Sequence, residues 1–339
     1  MKKQLAFLCV ILVLYLLSGC GQDKHADIGK EVRTLTLAVN SDISSQGQAG
    51  VDCFAKKVRQ ISNGQLNIKV VESDDLLDSL DNGCELIFAP TAELARANGD
   101  FNSYTSPFYF YDYKHLTLTL NSKSFYDIIR EKNLSLMNAM PIGAFYDGNS
   151  VILSSRDKMF DTVDQFQDST VNILGDPLFA EVLKALGATV KERSSEYLLL
   201  NFGRNRDNAV MECDTMALGE LGAPKDNSQI LVCKSFHRAR INWLVLSQPA
   251  KESMSAFEQA VLTEAIAYSI AANDELVLQQ EQQGFDYLKS LGAQISVPNY
   301  GEFSEATDKA LRASIRYQSL WDWDQHVEIR ELAVLTVGG

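Results

Sequence analysis

Apolar residues along this chain alternate between short continuous runs and stripes with helical spacing. Leu35–Val39 and Leu66–Val71 are β-rich runs, and between them apolar side chains recur at i, i+3, i+4, i+7 and i+10 over Val51–Ile61. That spacing is typical of an amphipathic helix, whereas the runs indicate strands. A short helix over Asp74–Leu80 and a third strand over Leu86–Ala89 follow. This order predicts an α/β domain with a largely parallel sheet.

The middle of the chain repeats the alternation, and a long helical pattern follows it. Seven further strands are predicted, over Pro141–Tyr146, Ser150–Ser154, Val171–Leu174, Thr189–Lys191, Ala209–Glu212, Ile230–Cys233 and Ile241–Leu246. Shorter helices are predicted between them, and one uninterrupted pattern covers Ser255–Leu291. At ~1.5 Å per residue, a continuous helix of that length crosses a whole domain or bridges two.

The N-terminal residues have the charge and hydropathy pattern of an export signal. Two lysines precede an apolar run over Leu5–Leu17, which is shorter than the ~20 residues that span a bilayer. The run ends in Leu-Ser-Gly-Cys, which matches the bacterial lipobox, so we expect residues 1–20 to be a lipoprotein signal peptide with Cys20 as the lipidated residue. The alternative is an ordinary cleaved signal with a chance cysteine. Residues 21–33 are largely polar and are predicted to form a tether.

Charge narrows the classes of partner. The formal net charge of the 339 residues is −13, which argues against nucleic acid as a partner because a phosphate-binding face needs clustered Lys and Arg. The charge does not identify a small ligand, since a pocket can be locally positive inside an acidic protein.

Four cysteines remain after the signal and the lipid site. Cys213 and Cys233 both lie in predicted strands, and we expect a disulfide between them in an oxidising compartment. Cys53 and Cys84 are either a second bridge or two small buried thiols. Their spacing resembles no zinc site, so we expect no metal.

Enzymatic chemistry is disfavoured by the distribution of histidines. His25, His115, His237 and His326 are far apart, with no metal-binding pair, and the chain has neither a Gly-x-Ser-x-Gly motif nor a phosphate-cradling loop. We therefore predict no catalytic residues and no cofactor. In parallel sheets, ligands bind just past the strand ends, which makes Asn40 and Thr91 binding candidates; both could also be ordinary loop residues.

Six segments, in order, carry a family resemblance over about residues 35–305. They are LTLAVNSD with the following FAKKVRQISNGQLNIKV, GCELIFAP, SYTSPFYFYDYKHL, DPLFAEVLKALGATV, EYLLLNFG and INWLVLSQPAKESMSAFEQAVLTEAIAYSIAANDELV. Together they resemble the solute-binding proteins of TRAP (tripartite ATP-independent periplasmic) transporters, of the dicarboxylate-binding, DctP-like type.

The resemblance implies an α/β, two-lobed periplasmic solute-binding protein fold with a long hinge-spanning helix. Lobe I would comprise 34–147 and 237–275, and lobe II 148–236 and 276–339, with the ligand cleft between them. It also implies capture of a small polar organic ligand for TRAP membrane subunits in the periplasm. The lipobox in turn predicts an N-terminal lipid in the inner or outer membrane. The alternative is a repurposed scaffold, a sensor or structural lipoprotein without a transport role.

The expected site departs from the family at its two cationic positions. The family usually fixes a ligand carboxylate with arginines, and the matching positions here are Asn172 and Ser150. Asn172 and Ser150 can hydrogen-bond a hydroxyl or amide but lack a charge-assisted bond. A carboxylate would need another cation, for which Arg238 and Arg240, next to His237, are the candidates. The same register adds further ligand-binding candidates, each of which could instead be a surface or capping residue: Tyr146, Asp147, Asn149, Asp176, Glu212 and His237.

Overall fold

The computed structural model describes residues 32–155, 158–224 and 228–332; the predicted signal peptide, Cys20 and nearly all of the predicted tether lie outside these ranges. The strands are β1 Arg33–Val39, β2 Leu66–Glu72, β3 Leu86–Pro90, β4 Ala139–Tyr146, β5 Ser150–Ser155, β6 Thr170–Ile173, β7 Thr189–Glu192, β8 Val210–Asp214, β9 Ile230–Cys233, β10 Ile241–Ser247 and β11 Gln294–Ser296.

The helices include several that the apolar pattern did not predict. They are α1 Ser45–Ile61, α2 Leu76–Asp81, α3 Thr91–Ala97, α4 Tyr113–Leu120, α5 Lys123–Met137, α6 Pro177–Ala185, α7 Ser195–Asn201, α8 Gln248–Ser253, α9 Ala256–Ser290, α10 Tyr300–Ala313 and α11 Trp323–Glu331. Short 3₁₀ helices occur at Gly99–Thr105, Val163–Phe166, Arg206–Asn208 and Thr215–Glu220.

Helix α1 shows how the stripe becomes a packed element. The Ser44 side chain accepts a hydrogen bond from the backbone N–H of Gly47 and so satisfies one of the free donors of the first turn. The buried face carries Val51, Phe54 and Val58 against the first sheet. Asn63 and Gly64 end the helix with positive φ, the conformation that glycine adopts most easily.

The first sheet has the strand order β2-β1-β3-β10-β4 and is covered on both faces. Its strands are parallel except β10, which is antiparallel to both β3 and β4. One face packs on α1 and the first half of α9, and the other packs on α2 to α5 around the buried Trp243. Coverage on both faces explains why the strands read as nearly continuous apolar runs.

The second sheet has the order β11-β9-β5-β8-β6-β7. Here β5 is antiparallel to β8 and to β9. One face packs on α6 and α10, and the other on α7 and the end of α9. Each sheet therefore contains one antiparallel strand, β10 and β5, and both adjoin a segment that runs from one sheet to the other. The largely parallel prediction missed these two strands because periodicity carries no strand direction.

Helix α9 contacts both sheets, as the long uninterrupted pattern suggested. It begins with a capping box, in which Ser255 and Glu258 satisfy each other's backbone N–H groups. Its first half buries Val261 and Ala265 against the first sheet, and its second half buries Phe285 and Leu288 against the second.

The C-terminal helices also join the two halves of the molecule. Phe303 of α10 packs in the core of the second sheet, whereas Ile329 of α11 packs in the core of the first. Arg330 of α11 forms a two-pronged ion pair with Asp308 of α10, with N–O distances of 3.1 and 3.0 Å. None of the described helices is both long and apolar enough to cross a membrane.

The predicted disulfide between Cys213 and Cys233 is wrong: both thiols are free and buried. Strand β5 lies between their strands, so two strand spacings of ~4.8 Å separate them, beyond the ~7 Å Cα limit for a bridge. They also face opposite ways, since Cys213 is opposite Val151 and Cys233 is opposite Ile152, which are consecutive residues of β5. Cys53 and Cys84 are free as well.

Candidate functional site

Two antiparallel segments connect the sheets, and we call them the hinge segments: 147–149 and 238–240. Asp147 donates its backbone N–H to the carbonyl of Arg240 at 2.9 Å, and Arg240 donates back to the carbonyl of Gly148 at 2.8 Å. The backbone N–H of Arg238 bonds the Asn149 side-chain oxygen at 3.1 Å. Because Arg238 and Arg240 are two residues apart on an extended segment, their side chains lie on one side of it.

Arg238 lies among carboxylates of the second sheet. Its Nη2 is 3.0 Å from Glu212 Oε1, and its Nη1 is 3.7 Å from Asp176 Oδ2. The Ser150 hydroxyl is 3.5 Å from Nη2. The side chain is 20% exposed, and its buried Nε has no hydrogen-bond partner. The guanidinium therefore lies beside Ser150, one of the positions where the family resemblance had called for a cation.

Glu212 is the buried centre of this cluster. Its other oxygen accepts the backbone N–H of Leu174 at 2.7 Å. Burial by itself raises the pKa of the Glu212 carboxyl, but the hydrogen bond from His237 and the charge of Arg238 outweigh it and lower the pKa to about 2. Glu212 is therefore ionised at neutral pH.

His237 is held between this carboxylate and an aromatic ring. Its Nε2 lies 3.3 Å from Glu212 Oε1, and its Nδ1 lies 2.8 Å from Ser235 Oγ. Since an ionised carboxylate can only accept, Nε2 donates to it. The imidazole stacks on Phe179 with a centroid distance of 4.0 Å. The ring is fully buried, so it orients Glu212 rather than facing the cleft.

Arg240 repeats the arrangement one step along the hinge. Its Nη1 pairs with Asp214 Oδ2, and its Nε lies 3.6 Å from Asp147 Oδ2. Gly148 permits this position: its φ is +104°, and a Cβ there would lie 2.5 Å from the Arg240 Nη2. Glu212 and Asp214 are alternate residues of β8. The two arginines and these two acids therefore form two successive ion pairs, which we call the hinge ladder: Arg238 with Glu212 is its inner rung, and Arg240 with Asp214 is its outer rung.

A cavity of about 400 Å³ opens beside the outer rung, between the ends of the first sheet's strands and the hinge. Its walls carry carboxylates, one guanidinium and neutral polar groups, with apolar surface from Phe88 and Pro90. The polar lining residues are Asn40, Asp42, Ser44, Gln46, Asp147, Asp214, Arg240 and Asn242.

The neutral residue at the other family cation position is bound internally. Asn172 donates through Nδ2 to the carbonyls of Asp207 and Val210, at 2.7 and 3.0 Å, and its buried Oδ1 has no partner. Nearby, Asp176 caps α6 by accepting the N–H groups of Leu178 and Phe179. Burial raises the pKa of the Asp176 carboxyl, against the opposing charge of Arg238.

Three further sequence candidates make structural contacts. Thr91 donates to the carbonyl of Ile241 at 3.0 Å and accepts the indole N–H of Trp243 at 2.9 Å. The Tyr146 hydroxyl donates to Glu281 of α9 at 2.8 Å. The Asn149 side-chain oxygen accepts the backbone N–H groups of Ser150 and Arg238.

The structure thus gathers Ser150, Asp176, Glu212 and His237 around Arg238, and it places Asn40 and Arg240 at the cavity. Sequence reasoning missed Asp214, although its alternation with Glu212 on a strand was a usable signal because alternate residues share a face. Among the described residues, no group of three or more His, Cys, Asp or Glu side chains is arranged to hold a metal ion.

Comparisons with known proteins agree with this fold. Residues 38–198 match the family model described as bacterial extracellular solute-binding protein, family 7. No curated protein sequence matches the chain.

Among solved structures, a TRAP periplasmic solute-binding protein from Ochrobactrum anthropi, with its C-terminus bound in the ligand-binding pocket, superposes with TM-score 0.73 at 16% identity, covering 91% of this chain and 98% of that one. An apo open structure from Escherichia fergusonii gives 0.71 at 19% identity, with coverages of 87% and 99%. A Roseobacter denitrificans protein with bound β-D-glucuronate gives 0.62 at 13% identity, with 88% and 98%.

Those identities establish the shared architecture alone. Residues 38–198 are similar to the bacterial extracellular solute-binding proteins of family 7, and the chain has the two-lobed fold of TRAP periplasmic solute-binding proteins.

Proposed function

We propose that the protein is a lipid-anchored, extracytoplasmic solute-binding protein that captures a small polar organic ligand for TRAP-type membrane subunits. The observation that carries the proposal is the cavity of about 400 Å³ between the strand ends of the first sheet and the hinge. Clefts of this size at strand ends are where α/β proteins bind small ligands.

The proposed lobes follow the division expected from the sequence, 34–147 and 237–275 for lobe I and 148–236 and 276–339 for lobe II, except that α11 packs in the core of the first sheet and so belongs with lobe I. A ligand that contacts both lobes favours the closed state through its differential affinity. The hinge segments and α9 supply the connections about which the lobes would move.

The proposed residues of the ligand site fall into three groups. Asn40 and Arg240 line the cavity. Ser150, Asp176 and Glu212 contact Arg238, and His237 supports Glu212, whereas Asn172 offers a buried oxygen without a partner. Thr91, Tyr146 and Asn149 remain candidates that would act by shaping the hinge and the strand ends.

The test of capture is calorimetric titration of residues 21–339 with carboxylates, sugar acids, polyols, amino acids and betaines, followed by small-angle scattering with and without the compound that binds. We expect saturable binding together with a smaller radius of gyration. Binding without compaction, or no binding by any class, would contradict lobe closure around a solute.

The lipid anchor rests on Leu17-Ser18-Gly19-Cys20. Labelling cells with a palmitate analogue should mark the native chain in the membrane fraction, and Cys20→Ser should abolish the label. A matched Cys53→Ser variant should keep it. Equal labelling of the Cys20→Ser chain would contradict the anchor and leave an ordinary signal peptide.

A further inference from the structure

Carboxylates outnumber guanidinium groups at both rungs of the hinge ladder. Arg238 lies between Glu212 and Asp176, and Arg240 lies between Asp147 and Asp214. Each planar guanidinium already has carboxylate partners from the protein itself. A ligand carboxylate would therefore have to compete with these protein carboxylates for both arginines.

The cavity beside the outer rung has the same imbalance. Among the described residues that line it, Asp42, Asp147 and Asp214 face a single cation, Arg240. An entering carboxylate would compete with Asp214 and Asp147 for Arg240, and both would remain nearby as like charges. A ligand cation meets the opposite situation, because it gains the surplus carboxylates without breaking the ladder.

The rest of the wall is suited to such a ligand. Phe88 and Pro90 supply apolar surface for the non-polar part of such a ligand. Asn40 and Asn242 offer both donors and acceptors for a polar remainder of the molecule.

We infer that this cleft, given the proposed function, selects small ligands that carry a cationic nitrogen and no net negative charge, and that it discriminates against dicarboxylates and sugar acids. The inference rests on the proposed solute capture and specifies its ligand class. The ladder performs the discrimination: Asp147 and Asp214 occupy Arg240, while Glu212 and Asp176 occupy Arg238.

The experiment is isothermal titration calorimetry on residues 21–339, a range that contains every strand of both sheets. The probes are glycine betaine, L-carnitine, choline and L-lysine, against succinate, L-malate, D-galactonate and D-glucuronate, with myo-inositol as the neutral probe. We expect at least one cationic-nitrogen probe to bind at least about tenfold more tightly than any acid or inositol, since a charge-assisted contact is worth about a factor of ten or more.

The Asp214→Asn variant tests the ladder directly. It keeps the shape of the side chain and frees Arg240 from its nearest carboxylate, so the preference should shift toward the acids by about tenfold or more. The matched control is Asp286→Asn, an exposed carboxylate on α9 that pairs with Lys289, and it should leave the preference unchanged.

The outcomes separate the two proposals. An acid or inositol that binds most tightly, with compaction of the lobes, supports solute capture and overturns the charge selectivity. An unchanged preference in Asp214→Asn overturns the assignment of selectivity to the ladder. Absence of binding by every probe overturns the inference and the proposed function together.

Discussion

The Nη2 atom of Arg238 lies 3.0 Å from Oε1 of Glu212, and this contact joins a hinge segment to an interior strand of the second sheet. Glu212 is completely buried, and its second oxygen accepts the backbone N–H of Leu174. The pair thus connects the hinge segment 238–240 to the core of the second sheet. It also places a cation beside Ser150, so the positive charge enters the site from the hinge rather than from β5 or β6.

Replacing Glu212 by glutamine should destabilise the protein. The amide keeps an oxygen for Leu174 but leaves the partly buried Arg238 with Asp176 as its remaining carboxylate, and breaking a buried ion pair costs ~3 kcal/mol. Urea unfolding of residues 21–339 measures the change. Glu220→Gln is the control, because this carboxylate is exposed and is not one of the partners of Arg238 or Arg240. A loss no larger than that of the control would contradict a stabilising role for the pair.

The same carboxyl should make stability depend on acid pH. Its pKa is about 2 in the folded protein against an ordinary value of 4.5, so the folded state binds this proton less readily than the unfolded state. The contribution is fully present above pH 4.5 and is lost as the pH falls toward 2, and the shift corresponds to ~3 kcal/mol. The difference between the unfolding free energies of native and Glu212→Gln proteins should therefore be constant from pH 7 to about pH 5 and shrink as the pH falls from 4.5 toward 2. A difference that stayed constant below pH 4.5 as well would contradict the depressed pKa.

Thr91→Val should cost stability without changing ligand preference. Valine removes the hydroxyl that bonds the carbonyl of Ile241 and the indole of Trp243, which leaves two buried groups unpaired. We expect a loss of ~2 kcal/mol in urea unfolding. The residue makes these contacts away from the cavity lining, so calorimetry should give an unchanged order of probe affinities. Thr263→Val, at an exposed hydroxyl on α9, is the matched control.

The mature chain should contain free thiols at Cys53, Cys84, Cys213 and Cys233. Burial raises the pKa of both the Cys213 and the Cys233 thiols to about 12, so we expect them to resist alkylation in the folded protein and to react after unfolding. Mass spectrometry after alkylation with and without urea measures this, and reducing agent should leave the melting temperature unchanged. A Cys213–Cys233 crosslinked peptide would contradict the separation of the two residues by β5.

The local pattern of apolar and polar residues predicts many of the helices and strands of this protein. The strand–helix alternation, the stripe of Val51, Phe54 and Val58, and the uninterrupted helix α9 follow from periodicity, because a helix or strand must bury one face at its own repeat. The resemblance carried by the short motifs indicated the two-lobed fold. The same reasoning placed neutral residues, Asn172 and Ser150, where the family usually has arginines.

Only the tertiary structure decided which groups meet. The direction of β5 and β10, the docking of α10 and α11, and the separation of Cys213 from Cys233 depend on which strands become neighbours, and no local repeat encodes that. The ladder is the sharpest case: Arg240 and Asp214 are 26 positions apart and become partners because a chain crossing runs alongside β8. The spacing of residues along the chain determines which side chains each strand or helix presents. Long-range packing determines which of those side chains become partners. At this cleft, the partners of the arginines determine the net charge that a ligand encounters.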